Sequence, residues 1–222
     1  MGVRASSGCG VGSPAFGLLR VATVSKGSLQ TVAVAHGGLD RTYLVFRPRS
    51  IAEERPPLIV EFHGMTACAE NSFLYTGWID QAVAAGAVLV WPQSTELLGI
   101  NPVSGEADPL LTSWNAGYLP VPAVAAGIDD VGFAVAIIRN LTAATGGEAD
   151  AGRVYVVGHS NGAAMAQRVA YQHAEIVTAV ATHSVRVPDV LYGGGVASLL
   201  CPPPVTMALI PRGAGAFLVV AT

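Results

Sequence analysis

A chain of 222 residues, 51% hydrophobic and 12% charged, is long enough for one well-cored domain and lies far from the composition of a disordered polypeptide. Its net charge of -3 and pI near 5.9 provide no positive field for phosphates, and its basic residues are scattered, so nucleic acid is excluded as an expected partner. The apolar run over 82–91 is broken by Gly86 and falls short of the roughly 18 residues that cross a bilayer, so no membrane partner is expected either.

Residues 1–28 are rich in Gly and Ser with little periodicity, and are expected to form an irregular leader with no visible signal peptide. The folded domain is expected over 29–222. Its first elements are two strands, 29–35 and 42–46, around the turn His36-Gly37-Gly38, an antiparallel hairpin at a sheet edge. The apolar run 57–62 reads as a strand ending at His63-Gly64, followed by a helix over 71–85 and a strand over 87–91. An irregular insert is expected over 92–127.

A helix beginning near Asp129 follows, with Val131, Ala134, Val135, Ile138 and Leu141 at the spacing of one buried face and Gly146-Gly147 as its stop. Strand 154–157, helix 161–173 and strand 177–181 complete the alternation. Strands separated by helices imply a mostly parallel sheet with helices on both faces. The cysteines, Cys9, Cys68 and Cys201, stand far apart with no CxxC pair and no Cys/His cluster at zinc-ligand spacing. Three free thiols and no metal are expected, with a Cys68–Cys201 disulfide as the alternative; no cofactor is expected.

Gly158-His159-Ser160-Asn161-Gly162 fits G-x-S-x-G, a pattern that chance supplies easily in a chain with 26 glycines. Context gives it weight. It directly follows the apolar strand 153–157 and directly precedes a helical stretch opening Ala163-Ala164-Met165-Ala166, as a turn that lifts a serine hydroxyl above a sheet requires. Ser160 is therefore the candidate nucleophile. An oxyanion needs backbone donors, and in a strand–turn–helix site of this kind they come from the residue after the nucleophile and from the loop after an earlier strand. Asn161 and Met65 occupy those places. His63 is read as a residue that positions the loop rather than as a base.

Five segments, Asp40-Arg41-Thr42-Tyr43-Leu44-Val45, Phe62-His63-Gly64, Ser113-Trp114-Asn115-Ala116-Gly117, Asp129-Asp130-Val131-Gly132-Phe133 and the run from Arg153 to Gly162, resemble in order and spacing the polyhydroxybutyrate depolymerase and feruloyl or acetyl-xylan esterase group of the α/β-hydrolases. The resemblance spans about residues 30–184. It implies an α/β-hydrolase three-layer sandwich and a secreted-type carboxylic-ester hydrolase whose substrate is a polymer-linked or aromatic ester. It also implies that Trp114 lies near the substrate cleft, the alternative being a tryptophan packed in the core.

The chain departs from that group after a strand expected over 205–210, where the resemblance calls for a His-Gly-x-x-Asp segment and, further on, the triad histidine. After Ser160 the sequence offers only Glu175 and Asp189 as carboxylates and only His173 and His183 as histidines. His173 is expected on the helix surface, away from the serine. His183 with Asp189 would be a substitute pair in the wrong chain order. The C-terminal end of the domain is accordingly expected to lack the last strands and helix. Two functions remain open, an ester hydrolase and a non-catalytic protein that binds an ester or glycan in the same cleft.

Overall fold

A computed structural model describes residues 14–100, 105–117 and 120–184, together with the backbone of three short strands further on. The first described element is a helix, α1 (Pro14–Val24), which buries Phe16, Leu19 and Thr23, the first two in a cluster with Leu44 and Phe46 of the sheet and Ile79. This corrects the expectation of an irregular leader over its second half. Phe16 and Leu19 lie three positions apart and so share one helical face, a signal masked in the sequence by the glycine and alanine between the apolar residues.

The hairpin forms as expected, with β1 (Gly27–His36) antiparallel to β2 (Leu39–Pro48) around Gly37 and Gly38, both at positive φ, as the tight two-residue turn requires. After β3 (Leu58–Phe62) the expected single helix is two, α2 (Phe73–Thr76) and α3 (Trp78–Ala85), because Gly77 between them sits at φ 68. Strand β4 (Val88–Pro92) follows. The insert expected to be irregular contains a hairpin, β5 (Thr95–Ile100) with β6 (Ala107–Ser113), and a short helix α4 (Pro122–Ala125).

Helix α5 (Asp130–Leu141) starts where Asp129 caps it, the Asp129 carboxylate accepting from the Gly132 amide at 2.9 Å. Then come β7 (Val154–His159), α6 (Asn161–Gln172) and β8 (Ala179–His183). The last strands are β9 (Ala197–Leu199), β10 (Met207–Leu209) and β11 (Val219–Val220). The strand expected over 205–210 thus appears as β10, which pairs with β9 in a separate two-stranded sheet.

The main sheet runs β1-β2-β4-β3-β7-β8-β11. Its first two pairings are antiparallel and the rest parallel. Both faces are covered. Val45, Val60, Val90 and Val156 meet α5 and α6 on one side, while Leu44, Phe46, Ile59, Leu89 and Trp91 meet α1 and α3 on the other. Burial on two faces explains why β3 and β4 read as unbroken apolar runs rather than alternating ones. No helix among the described residues is long and apolar enough to cross a membrane.

Candidate active site

Ser160 sits between the end of β7 and the start of α6, at φ 53 and ψ -123, a backbone conformation that side-chain-bearing residues rarely adopt. Its amide donates to the His183 carbonyl at 2.9 Å, and its hydroxyl makes no capping bond to α6. The two glycines of the motif explain how the turn is possible. A Cβ on Gly162 would stand 2.1 Å from the Phe62 carbonyl oxygen, and one on Gly158 would stand 2.2 Å from that of Gly162. Backbone meets backbone at both positions, so only glycine lets α6 leave the strand this steeply and lie against β3.

A cleft of ≈ 870 Å³ opens above the turn. It is lined by His159, Ser160 and His183 at the turn, by Gly64, Met65 and Thr66 after β3, by Asn71, Tyr75, Thr76 and Trp78 around α2, and by Glu61. Met65 and Ser160 therefore share one cavity, and Gly64 is close enough that a Cβ on it would lie 3.6 Å from that of Ser160. The amide of Asn161 is at the first turn of α6, where helix N–H groups have no partner within the helix. Met65 lines the same cleft as Ser160, and Asn161 follows the serine directly in the chain.

The Asn161 side chain has a separate task. Its Oδ1 accepts from the Trp114 amide at 2.7 Å and its Nδ2 donates to the Trp114 carbonyl at 3.3 Å, so it clamps the β6 exit onto the turn. Trp114 does not line the cleft; it is fully buried, and its Nε1 donates to the His63 carbonyl at 2.8 Å while its ring packs edge-on against Phe62 at 5.3 Å. Of the two placements left open by the sequence, the structure shows the packed one: the buried indole fixes the loop from behind. His63 is also fully buried. Its Nδ1 bonds the Gly64 carbonyl at 2.8 Å and its Nε2 accepts from the Ser94 amide at 3.2 Å, which fixes the proton on Nδ1, and burial pushes its pKa down to about 4. It is a neutral, bracing imidazole.

Behind the loop lies a buried ion pair. Arg41 Nη2 meets Asp130 Oδ1 at 2.7 Å and the Gln93 carbonyl at 3.0 Å, and its guanidinium stacks 4.1 Å over the Phe133 ring. Asp130 Oδ2 accepts from the Asn115 amide at 2.7 Å, so all five segments singled out in the sequence meet in one network that runs from Arg41 through Asp130, Asn115 and Trp114 to His63 and Asn161.

His159 stacks on His183 with centroids 5.1 Å apart and touches the Tyr75 ring at 5.4 Å. Burial first, and the nearby His183 second, lower its pKa below the ordinary imidazole value. His173 lies at the far end of α6, where it pairs with Glu175 at 3.1 Å, away from the serine as expected. Asp189 lies outside the described residues. Cys68, fully buried in the loop after Met65, is disulfide-bonded, which corrects the expectation of three free thiols. No group of three or more His, Cys, Asp or Glu among the described residues is placed to hold a metal ion.

Two cleft residues had no sequence signal: Glu61, inside an apolar strand, and Tyr75, on a helix too short to show a period. His183 could be found only as the end of the strand beside the motif.

No family model and no curated protein sequence matches the chain. Solved structures do. The acetyl xylan esterase from Aspergillus awamori superposes with a TM-score of 0.56 at 20% identity, over 76% of this chain and 56% of that one. The hyperthermophilic esterase from the archaeon Pyrobaculum calidifontis gives a TM-score of 0.50 at 18% identity, over 75% of this chain and 48% of that one. The chain spans about half the length of these structures. With the sheet order and the strand–turn–helix at Ser160, they define the class: the protein has the α/β-hydrolase fold.

Proposed function

We propose that the cleft is the active site of a serine carboxylic-ester hydrolase acting on polymer-linked or aromatic esters of the polyhydroxyalkanoate, feruloyl or acetyl-xylan type. The observation that carries the reading is the strained Ser160, its hydroxyl free of capping, sharing a cleft with Gly64 and Met65. The Ser160 hydroxyl attacks the ester carbonyl carbon, its proton passes to a base, and the carbonyl oxygen becomes an oxyanion held by the Met65 and Asn161 amides. Collapse expels the alcohol and leaves an acyl-serine, which water hydrolyses. Of the described histidines His183, at the cleft edge beside the turn, is the base this reading tests. That structural neighbours are named esterases supports the reaction class. A disulfide at Cys68 supports an extracellular location, since such bonds persist in oxidising compartments.

A second reading, a non-catalytic binder of esters or glycans, is favoured by one observation: Glu175, the carboxylate that stands between Ser160 and His183 in the chain, pairs with His173 beyond the end of α6. The two separate by experiment. The chain and its Ser160→Ala and His183→Ala variants are incubated with p-nitrophenyl acetate and, separately, with a fluorophosphonate probe followed by peptide mapping. The hydrolase reading expects the probe on Ser160 and turnover that falls with either substitution. Probe uptake unaffected by Ser160→Ala, or a folded chain with no uptake, overturns it, and ester binding without turnover establishes the binder.

A further inference from the structure

We propose that Glu61 is the proton-linked positioning residue of this cleft, its carboxyl taking up a proton when an ester fills the space above it. The inference rests on the cleft being the ester site and is independent of whether Ser160 reacts. Glu61 is the last residue but one of β3, 1% exposed, and it nonetheless borders the cleft.

Its two oxygens tie three elements together. Oε1 accepts from the Ser72 hydroxyl at 2.8 Å, just before α2, and Oε2 accepts from the Trp91 indole at 2.5 Å, on β4. Thr76, at the end of α2, adds a further hydrogen bond. Between Ser72 and Thr76 lies Tyr75, the cleft-wall residue whose ring touches His159 beside Ser160. The carboxyl thus holds the wall of the cleft that faces the candidate nucleophile.

What the site lacks is a cation. No Lys, Arg or His among the described residues forms a salt bridge with Glu61. Packed around it are Tyr75, whose charge it opposes, from α2; Trp91 from β4; and Val157, its register partner on β7. His159 and His183 line the same cleft. Burial therefore dominates the three hydrogen bonds and pushes the Glu61 pKa up to about 7. The ionised form keeps only the support of the polar medium in the open cleft that this carboxyl borders. An apolar acyl group that fills the cleft replaces that medium with one of low dielectric and disfavours the buried charge further, so an occupied cleft holds the neutral acid across a wider pH range. By reciprocal linkage, affinity for a neutral ligand falls as pH rises above the free-state midpoint, by up to about tenfold per pH unit.

The probe is methyl benzoate, uncharged at every pH, titrated by tryptophan fluorescence into the Ser160→Ala protein from pH 5.5 to 8.5. Affinity is expected to be level on the acid side and to weaken above a midpoint near 7. In Ser160→Ala/Glu61→Gln, where the amide mimics the neutral acid, it should stay level throughout. A flat profile in the Glu61 protein, or an unchanged slope after Glu61→Gln, overturns the proposal, the latter assigning the proton to His159 or His183. If the glutamine variant does not fold, Trp91→Phe serves instead: losing a donor that favours the ionised form must move the midpoint upward, and an unmoved midpoint overturns the proposal. Serine reactivity enters none of these readouts, so failure here and failure of the hydrolase reading are separate results.

Discussion

Replacing Arg41 with methionine tests whether the network behind the loop carries the architecture of the site. The pair is as buried as such pairs become, with side chains 3% and 0% exposed. In Arg41→Met the Asp130 carboxylate would keep only the Asn115 amide as a donor. Removing one partner of a buried pair costs about 3–5 kcal/mol, because the other charge stays uncompensated. For a domain of this size that corresponds to a fall in Tm of roughly 6–20 °C.

The loss has a pH signature. Burial raises the Asp130 pKa, and Arg41 is the main influence opposing that rise. Without Arg41 it rises further, so between the unfolded carboxyl value and the new folded one the native state holds a proton that the unfolded state has released. Stability of the variant then declines as pH climbs through that window, and the penalty relative to wild type is larger at pH 8 than at pH 5. The double variant Arg41→Met/Asp130→Leu removes both charges and should recover most of the loss. Urea unfolding followed by circular dichroism at both pH values measures wild type, Arg41→Met, Asp130→Leu and the double variant. A single-variant cost below about 1 kcal/mol, or a double variant as damaged as the two single losses added, refutes the reasoning.

Ser160→Gly should abolish probe labelling while raising stability by about 1 kcal/mol, because glycine relieves the positive φ that serine endures; a lower Tm would show that the serine is not strained. Gly162→Ala should cost at least about 3 kcal/mol, since its methyl meets the carbonyl oxygens of Phe62 and His63 at 2.1 and 2.3 Å; a wild-type Tm would mean the turn is looser than described. Glu61→Gln should remove a pH dependence of stability. The folded pKa of about 7 lies above the unfolded 4.5, so wild type loses stability as pH rises from about 4.5 to about 7 and levels off beyond, by an order of 3 kcal/mol, and the variant should not. Trp114→Phe should cost about 1–2 kcal/mol by leaving the His63 carbonyl unpaired, which thermal melts can resolve.

The sheet was legible because its strands are bounded by residues with few conformational alternatives. Gly37-Gly38 marks the hairpin and the two motif glycines mark the steep exit of α6, and each stands where backbone geometry admits little else. Helix α1 was not legible, because its docking depends on a surface offered by β2 and α3, which no local pattern announces. The split between α2 and α3 was hidden likewise: Gly77 at φ 68 ends one helix, yet an isolated glycine in an apolar run is equally compatible with one helix that tolerates it.

Trp114 shows the limit of reading the site itself. Its segment was recognisable, but a segment fixes which residue is present and leaves open which way the indole faces. The direction follows from the polar atom. An indole N–H in a dry interior needs an acceptor, and the His63 carbonyl, turned inward because the His63 ring braces Gly64 from the other side, provides one 2.8 Å away. The same logic accounts for the site as a whole. A serine at φ 53 persists only if its surroundings over-determine it, and here Asn161 clamps Trp114, Trp114 holds His63, and the Gly162 carbon lies flush on the end of β3. Each of these contacts joins elements distant in sequence, so the strain at Ser160 is maintained by packing that forms only when the whole sheet does, and loosening any one of them should relax the turn before it unfolds the domain.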